Sequence, residues 1–331
     1  MKSLKQQLGA IAQKVVDSAM GNGLMQLENT ASGERYITPG ISDVIRQCAA
    51  EGCVLLKNDG VLPLAEGKPV AVFGRCQLDW FFVGYGSGGD VHPPYRINLM
   101  DGLANGGVAY DEALAETYRG WCACEEHKAY HGWWGHWPMS HPEMPLDADT
   151  VRKAAERCGT ALVVIGRAAG EDRENRLEQG SYYLTDSEKA LLSSVTGAFE
   201  RTVVLLNAGS VMDMAWTEDY GDRLSAVLLV WLGGMESGNA VCDVLTGRVN
   251  PCGRLADTIA RDYADYPSSA NFGGKKYNDY AEDIYVGDRY FSTFAKDKVL
   301  YPFGFGLSYT SFASNVVSFA GTTATYPSPR R

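Results

Sequence analysis

The residues best suited to chemistry in this chain stand in one short stretch, Gly170-Glu171-Asp172-Arg173-Glu174-Asn175-Arg176, which follows the apolar run 161–165 and its break at Gly166. A carboxyl group in such a place acts as a general acid or base when its neighbours raise its pKa. Glu171 is the candidate. The competing reading is a solvated, charged loop, the commoner case when spacing is the only guide.

A second concentration holds Cys122, Cys124, His127, His131, His136 and His141, four of the five histidines in the sequence. Its spacing matches neither paired C-x2-C nor an H-x3–5-H arm opposite a second pair, so a zinc site is not expected. Trp121, Trp133, Trp134 and Trp137 share the segment. It reads as an aromatic excursion between Lys128 and Pro145, a surface for stacking on sugar rings or for an interface. Trp80, Phe81, Phe82 and Tyr85 stand among glycines in 79–90, where the absence of a Walker lysine and of G-x-G-x-x-G spacing excludes a phosphate cradle. No G-x-S-x-G elbow occurs, which removes a serine hydrolase. Glu236, in Gly233-Gly-Met-Glu-Ser-Gly238, either orients a loop or ligand or serves a helix dipole, the commoner role. No metal and no cofactor are expected.

The elements that position these groups alternate. The run 161–165 reads as a strand buried on both faces, as in parallel sheets. A helix starts near Asp186, whose carboxylate is suited to cap it. Between them lie about twenty residues, against ~2–6 for an ordinary strand-to-helix loop. Long loops at the carboxyl ends of parallel strands are where open α/β sheets hold ligands. Further strands are expected at 69–74, 202–207 and 226–231, helices at 42–50, 97–103, 114–128, 147–158, 185–199 and 236–246, and an apolar stretch at 53–57 precedes a turn. The fold class is α/β: a doubly wound, mainly parallel sheet with helices on both faces, followed by an irregular C-terminal segment from Arg254.

The chain has 331 residues, 45% hydrophobic and 21% charged, ample for a large core. A formal charge of −10 without a basic stripe argues against nucleic acid. Polar residues interrupt the N-terminus, so it is no signal peptide; Leu4, Leu8, Ile11 and Val15 mark an amphipathic helix. No run approaches the ~18–20 apolar residues of a membrane span. Eight cysteines without a secretion signal point to reduced thiols and a cytoplasmic protein.

Four motifs carry a family resemblance. Leu205-Leu-Asn-Ala-Gly-Ser-Val-Met-Asp213-Met-Ala-Trp216 resembles the LN-x-G-S-x-x-D-x-x-W segment of glycoside hydrolase family 3. The stretch from Trp231 through Asp243 and Pro251 to Leu255 is similar to that family's W-x-G-G-x-E-x-G-N-A…N-P-S-G-x-L, and 301–312 to its Y-P-F-G-x-G-L-S-Y-T-x-F. Residues 50–58 with Leu62-Pro-Leu64 resemble the opening of the family's α/β-sandwich domain. Family members are mostly retaining β-glucosidases and related exo-acting enzymes. Their nucleophile is an aspartate of a barrel domain, and in many the acid/base is a glutamate of the sandwich domain.

The resemblance implies that Glu171, in the place of the family's G-E-x-x-D loop, is the acid/base, with Glu174 and Glu178 as fallbacks. Arg173, Trp80, Tyr85, Trp133 and Trp134 are the expected substrate contacts, and a β-linked glucoside or oligosaccharide the expected substrate. The family's S-D-W nucleophile motif is absent from the sequence. Three segments are expected: an N-terminal helix and arm (1–40), the sandwich (41–312), and the truncated start of a fibronectin-like domain or a tail (313–331), an order resembling the members that place the sandwich first. The barrel is then expected in trans or in a longer precursor, the chain alone is expected to be inactive, and its uncovered face to favour a homo-oligomer. A non-catalytic carbohydrate-binding or protein-interaction module is the alternative. Cys252 stands where the family has serine, and Asp288 where it has tyrosine.

Overall fold

The computed structural model describes residues 37–86, 91, 93–130, 132, 136–171, 175–273, 276–311, 318–320 and 323–325. The amphipathic helix expected near the N-terminus lies outside them. Helix α1 (Ile41–Gly52) leads into β1 (Val54–Asn58) and β2 (Val70–Phe73). Then come α2 (Leu99–Asn105), α3 (Glu112–Ala123), α4 (Ala148–Arg157), β3 (Thr160–Arg167), α5 (Asp186–Ala198), β4 (Arg201–Ala208), α6 (Trp216–Tyr220), β5 (Ala226–Leu229) and α7 (Ser237–Leu245).

The five strands form one sheet in the order β1-β5-β4-β3-β2. Strands β2 to β5 are parallel, and β3 and β4 pair along their length from Thr160↔Arg201 to Arg167↔Ala208. Strand β1 runs antiparallel to β5 at the edge. The outer flanks of the two edge strands carry single bridges, Leu55↔Leu307 on β1 and Val70↔Tyr110 on β2.

The apolar runs are continuous because the sheet is covered twice. Phe73, Val163, Ile165, Val204 and Leu206 pack with Tyr118 of α3, Val151 of α4 and Leu192 of α5 on one face. Their neighbours Val72, Leu162, Val164, Val203 and Leu205 point the other way, onto Leu99 and Leu103 of α2 and Val241 and Leu245 of α7. Side chains alternate with period 2 along a strand, so a run apolar at every position must bury both faces. This is the expected α/β sandwich.

Beyond α7 the chain is mostly irregular, as the sequence reads. It nonetheless holds a two-stranded sheet of β6 (Ile259–Ala260) and β7 (Val299–Tyr301), and helix α8 (Asp288–Phe294). Near the end of the chain, β8 (Ser318–Ala320) and β9 (Thr323–Thr325) form a short antiparallel pair.

Candidate active site

Four loops leave the carboxyl ends of β2 to β5 and are stitched to one another. Asn207, fully buried at the end of β4, does much of this: its Oδ1 accepts from the Phe81 amide (2.8 Å), and its Nδ2 donates to the carbonyls of Phe81 (2.9 Å) and Trp231 (2.7 Å). One amide side chain thus joins the 74–86 loop to the loop after β5. The Gly234 amide donates to Phe82 O at 2.9 Å, and the Gly209 amide to Arg167 O at 3.2 Å.

Glu171 stands at this edge, shortly past the end of β3 at Arg167. The Ala168 amide donates to Met139 O (2.7 Å), the Tyr85 amide to Ala169 O (2.7 Å) and the Glu171 amide to Tyr85 O (3.1 Å). Tyr85 and Gly170 form a parallel bridge, so β3 is prolonged against the 74–86 loop up to Glu171. Gly86, at φ +107°, leaves room for the glutamate: a Cβ there would lie 2.4 Å from Glu171 Cβ and 2.9 Å from its Oε2. Glu171 itself is exposed.

The far end of the same loop is held by a buried ion pair. Arg167 Nη1 and Nη2 donate to Glu188 Oε1 (2.6 Å) and Oε2 (2.7 Å), while the guanidinium also donates to the carbonyls of Gly166 (2.8 Å), Ser181 (3.0 Å) and Tyr183 (3.1 Å). Glu188 completes a capping box with Thr185, whose amide reaches its Oε2 at 2.8 Å and whose side chain accepts from the Glu188 amide. Thr185, not Asp186, is therefore the N-cap of α5. The cap belongs to the residue before the first helical φ/ψ, and Asp186 already lies within the helix. Midway along the loop, Asn175 Nδ2 donates to Val211 O at 2.7 Å.

Of the expected sugar contacts, Arg173, Trp133 and Trp134 lie outside the described residues, as does the fallback Glu174; Glu178 is exposed. Tyr85 is half-buried and stacks on Trp137, with centroids 5.5 Å apart and planes 5° apart. Trp80 is only 5% exposed, and its Nε1 donates to Ser237 Oγ at 2.9 Å. That burial makes it an anchor for its loop: its ring is packed in the core, not open for stacking. Glu236 does not cap α7 with its side chain. Its Oε1 accepts from the Tyr95 hydroxyl (2.5 Å) and its Oε2 from Asn239 Nδ2 (2.6 Å), so it orders the loop before the helix.

The histidines His127 and His141 are engaged with aromatic rings. His127 stacks on Trp121 at 4.1 Å and His141 on Phe81 at 4.8 Å. Among the described residues no group of three His, Cys, Asp or Glu side chains is placed to hold a metal. The eight cysteines are free thiols. Glu143 has a strongly displaced pKa: burial pushes its carboxyl up to about 7, and hydrogen bonds from the Arg75 and Met144 amides oppose the rise. Nothing in the local sequence marks Glu143, Arg75, Arg167 or Asn207 for these contacts, whose partners lie far along the chain. Only the Thr185-Asp-Ser-Glu188 capping signature was available to suggest one of these ties.

The architecture is that of the α/β-sandwich domains of β-glucosidases. The β-glucosidase from Paenibacillus barengoltzii superposes with a TM-score of 0.82 at 47% identity, covering 87% of this chain and 32% of that one. β-Glucosidase 3B from Thermotoga neapolitana, in complex with glucose, gives 0.74 at 36% identity over 95% of this chain and 45% of that one. Residues 53–309 match the glycosyl hydrolase family 3 C-terminal domain, and the chain belongs to that family. It is 48% identical over 263 residues to a β-glucosidase of Ruminococcus albus, spanning 80% of this chain and 28% of that enzyme. With β-glucosidase A of Butyrivibrio fibrisolvens the identity is 39% over 309 residues, 85% of this chain and 36% of the other. The chain therefore spans about a third of the length of these two relatives.

Proposed function

We propose that this chain supplies Glu171 as the general acid/base in retaining hydrolysis of β-glucosides, acting with a barrel domain that carries the nucleophile, in trans or within a longer precursor. The observation that carries the reading is the position of Glu171. It ends a strand extension at the carboxyl edge of a parallel sheet, its amide held by Tyr85 O at 3.1 Å, while its side chain stays exposed toward whatever docks there. A retaining glycosidase needs two carboxyl groups about 5–5.5 Å apart, one protonated to assist the leaving group and one ionised to attack the anomeric carbon. After departure of the aglycone, the same glutamate takes a proton from water as that water attacks the glycosyl-enzyme. Tyr85 is a proposed sugar contact on the Glu171 side of the site, and Arg173, Trp133 and Trp134, outside the described residues, are proposed contacts from the sequence alone. The chain alone lacks a nucleophile and is inactive in this reading, because removing one member of a cooperating pair forfeits most of the catalysis.

The test is Glu171→Gln in the barrel-complemented assembly. Hydrolysis of glucosides with poor leaving groups should fall by about 10²–10⁴-fold, the usual worth of general acid/base assistance. Activated aryl glucosides should suffer less in the first step, and azide should restore turnover by attacking the glycosyl-enzyme without base help. Unchanged rates on both substrate types would remove Glu171 from the mechanism. Robust hydrolysis by the chain alone, lost in Glu171→Ala, would remove the barrel.

A further inference from the structure

Two points of the segment between α3 and α4, His127 and Pro142, are held by one side chain. Arg75, in the turn after β2, is 1% exposed. Its Nη2 donates to His127 O at 2.5 Å, its Nη1 to Pro142 O at 2.8 Å and its Nε to Asp79 Oδ2 at 2.8 Å. Its backbone amide donates to the Glu143 carboxylate, at 2.9 Å to Oε2 and 3.1 Å to Oε1. The guanidinium lies 5.0 Å from the centroid of Trp121, whose ring stacks on His127. A planar fork reaching two carbonyls and a carboxylate at once is a geometry that guanidinium has and an ammonium lacks.

What the clamp presents is a route to the acidic loop. Between the two clamped carbonyls lie Trp137, stacked on Tyr85, and Met139, whose carbonyl accepts from Ala168 at the end of β3. Tyr85 in turn donates to Ala169 O and accepts from the Glu171 amide. The backbone of Glu171 thus rests on a residue whose ring is backed by the excursion, and the excursion is held by Arg75.

We propose that Arg75 is a positioning residue for Glu171, acting through the clamped excursion and the Trp137–Tyr85 stack. The inference rests on the reading of Glu171 as the acid/base, but the placement it describes is measurable without catalysis. In Arg75→Lys, Asp79 and the two carbonyls would keep the shorter ammonium nearby, yet it would not span His127 and Pro142 together. That substitution is therefore the variant of choice, with Trp137→Leu as an independent cut further along the route.

The experiment is amide hydrogen exchange on the full chain, with near-ultraviolet circular dichroism as a signature of the Tyr85–Trp137 stack. Both variants should speed exchange at the Tyr85 and Glu171 amides by about tenfold or more, while amides of β4 stay within about twofold of wild type, the pattern of a local opening. Arg75→Lys, which keeps both rings, should also reduce the near-ultraviolet signal. Exchange at the two amides within about twofold of wild type in Arg75→Lys, or a rise shared equally by β4, overturns the proposal. A response to Arg75→Lys without one to Trp137→Leu overturns the route through the stack. If exchange responds as expected but Glu171→Gln leaves hydrolysis intact, the catalytic reading fails and the positioning relation stands.

Discussion

Strands β3 and β4 pair along eight residues each, and the side chains of both are buried on two faces almost throughout. The loop that joins β3 to α5 is fastened differently. Its ends meet at Arg167 and Glu188, its first residues are paired with Tyr85 at Gly170, and Asn175 ties its middle to Val211 O. In the sheet, stability is spread over many contacts of small individual worth. In the loops it is gathered into a few polar nodes, each of which satisfies several buried groups at once. Damage to the first should be graded by the atoms removed, and damage to the second should depend on whether a charge is left without its partner.

The sharpest break is at the node. Arg167→Met leaves the Glu188 carboxylate, 8% exposed, without its cation, and should destabilise the chain by about 3–5 kcal/mol in urea unfolding. The double variant Arg167→Met/Glu188→Leu should recover most of that loss, because it removes the buried charge along with its partner. A double variant as unstable as the single one would show that the carbonyl bonds of Arg167, rather than the ion pair, carry the node. In the sheet, Leu206→Ala should cost about 2–5 kcal/mol and Ile165→Val about 0.5–1.5 kcal/mol, a grading by cavity size that unfolding curves would read directly.

A pH series sharpens the same contrast at Glu143. Burial raises its carboxyl from the ordinary 4.5 to about 7, so between these values the folded chain keeps a proton that the unfolded chain has released. The contribution is fully present below pH 4.5 and is lost as pH rises through about 7. Its size is on the order of 3 kcal/mol, from the shift and the free energy per pKa unit. Urea midpoints measured across this interval should fall with rising pH in the wild type. Glu143→Gln should flatten that slope; an unaltered slope would assign it to other groups. The smallest effect is expected at the cap, where Thr185→Ala should cost about 1 kcal/mol, with α5 fraying at its first turn.

The same contrast explains what was legible in the sequence. Strands at 161–165 and 202–207 announce themselves because burial on two faces leaves an unbroken apolar run, and α4 and α5 because polar caps precede periodic apolar positions. Four family motifs then pointed to the sandwich. The ties of the candidate site were hidden because their partners are far apart in sequence: Phe81 and Asn207, or Arg75 with His127 and Pro142, carry no local periodicity. The antiparallel run of β1 is hidden too, since a short strand with three apolar residues and a polar end reads the same in either direction. Trp80 looked like a sugar platform because it lies in a glycine-rich loop, and only its contact with Ser237 shows that the ring turns inward.

The bridge from Leu307 to Leu55 gives the motif at 301–312 a second meaning. The Leu307 amide donates to Leu55 O at 2.8 Å, on the flank of β1 that faces away from β5. At the opposite edge, β2 is met by Tyr110, with the Val70 amide on Ala109 O and the Asp111 amide on Val70 O, each at 3.0 Å. An unpaired strand edge is a template on which another chain can add a strand, and proteins suppress it by occupying or bending the edge. Here each margin of the sheet is partly occupied by a segment of the same chain. By that rule, each of these segments leaves less open edge on which a foreign strand could pair.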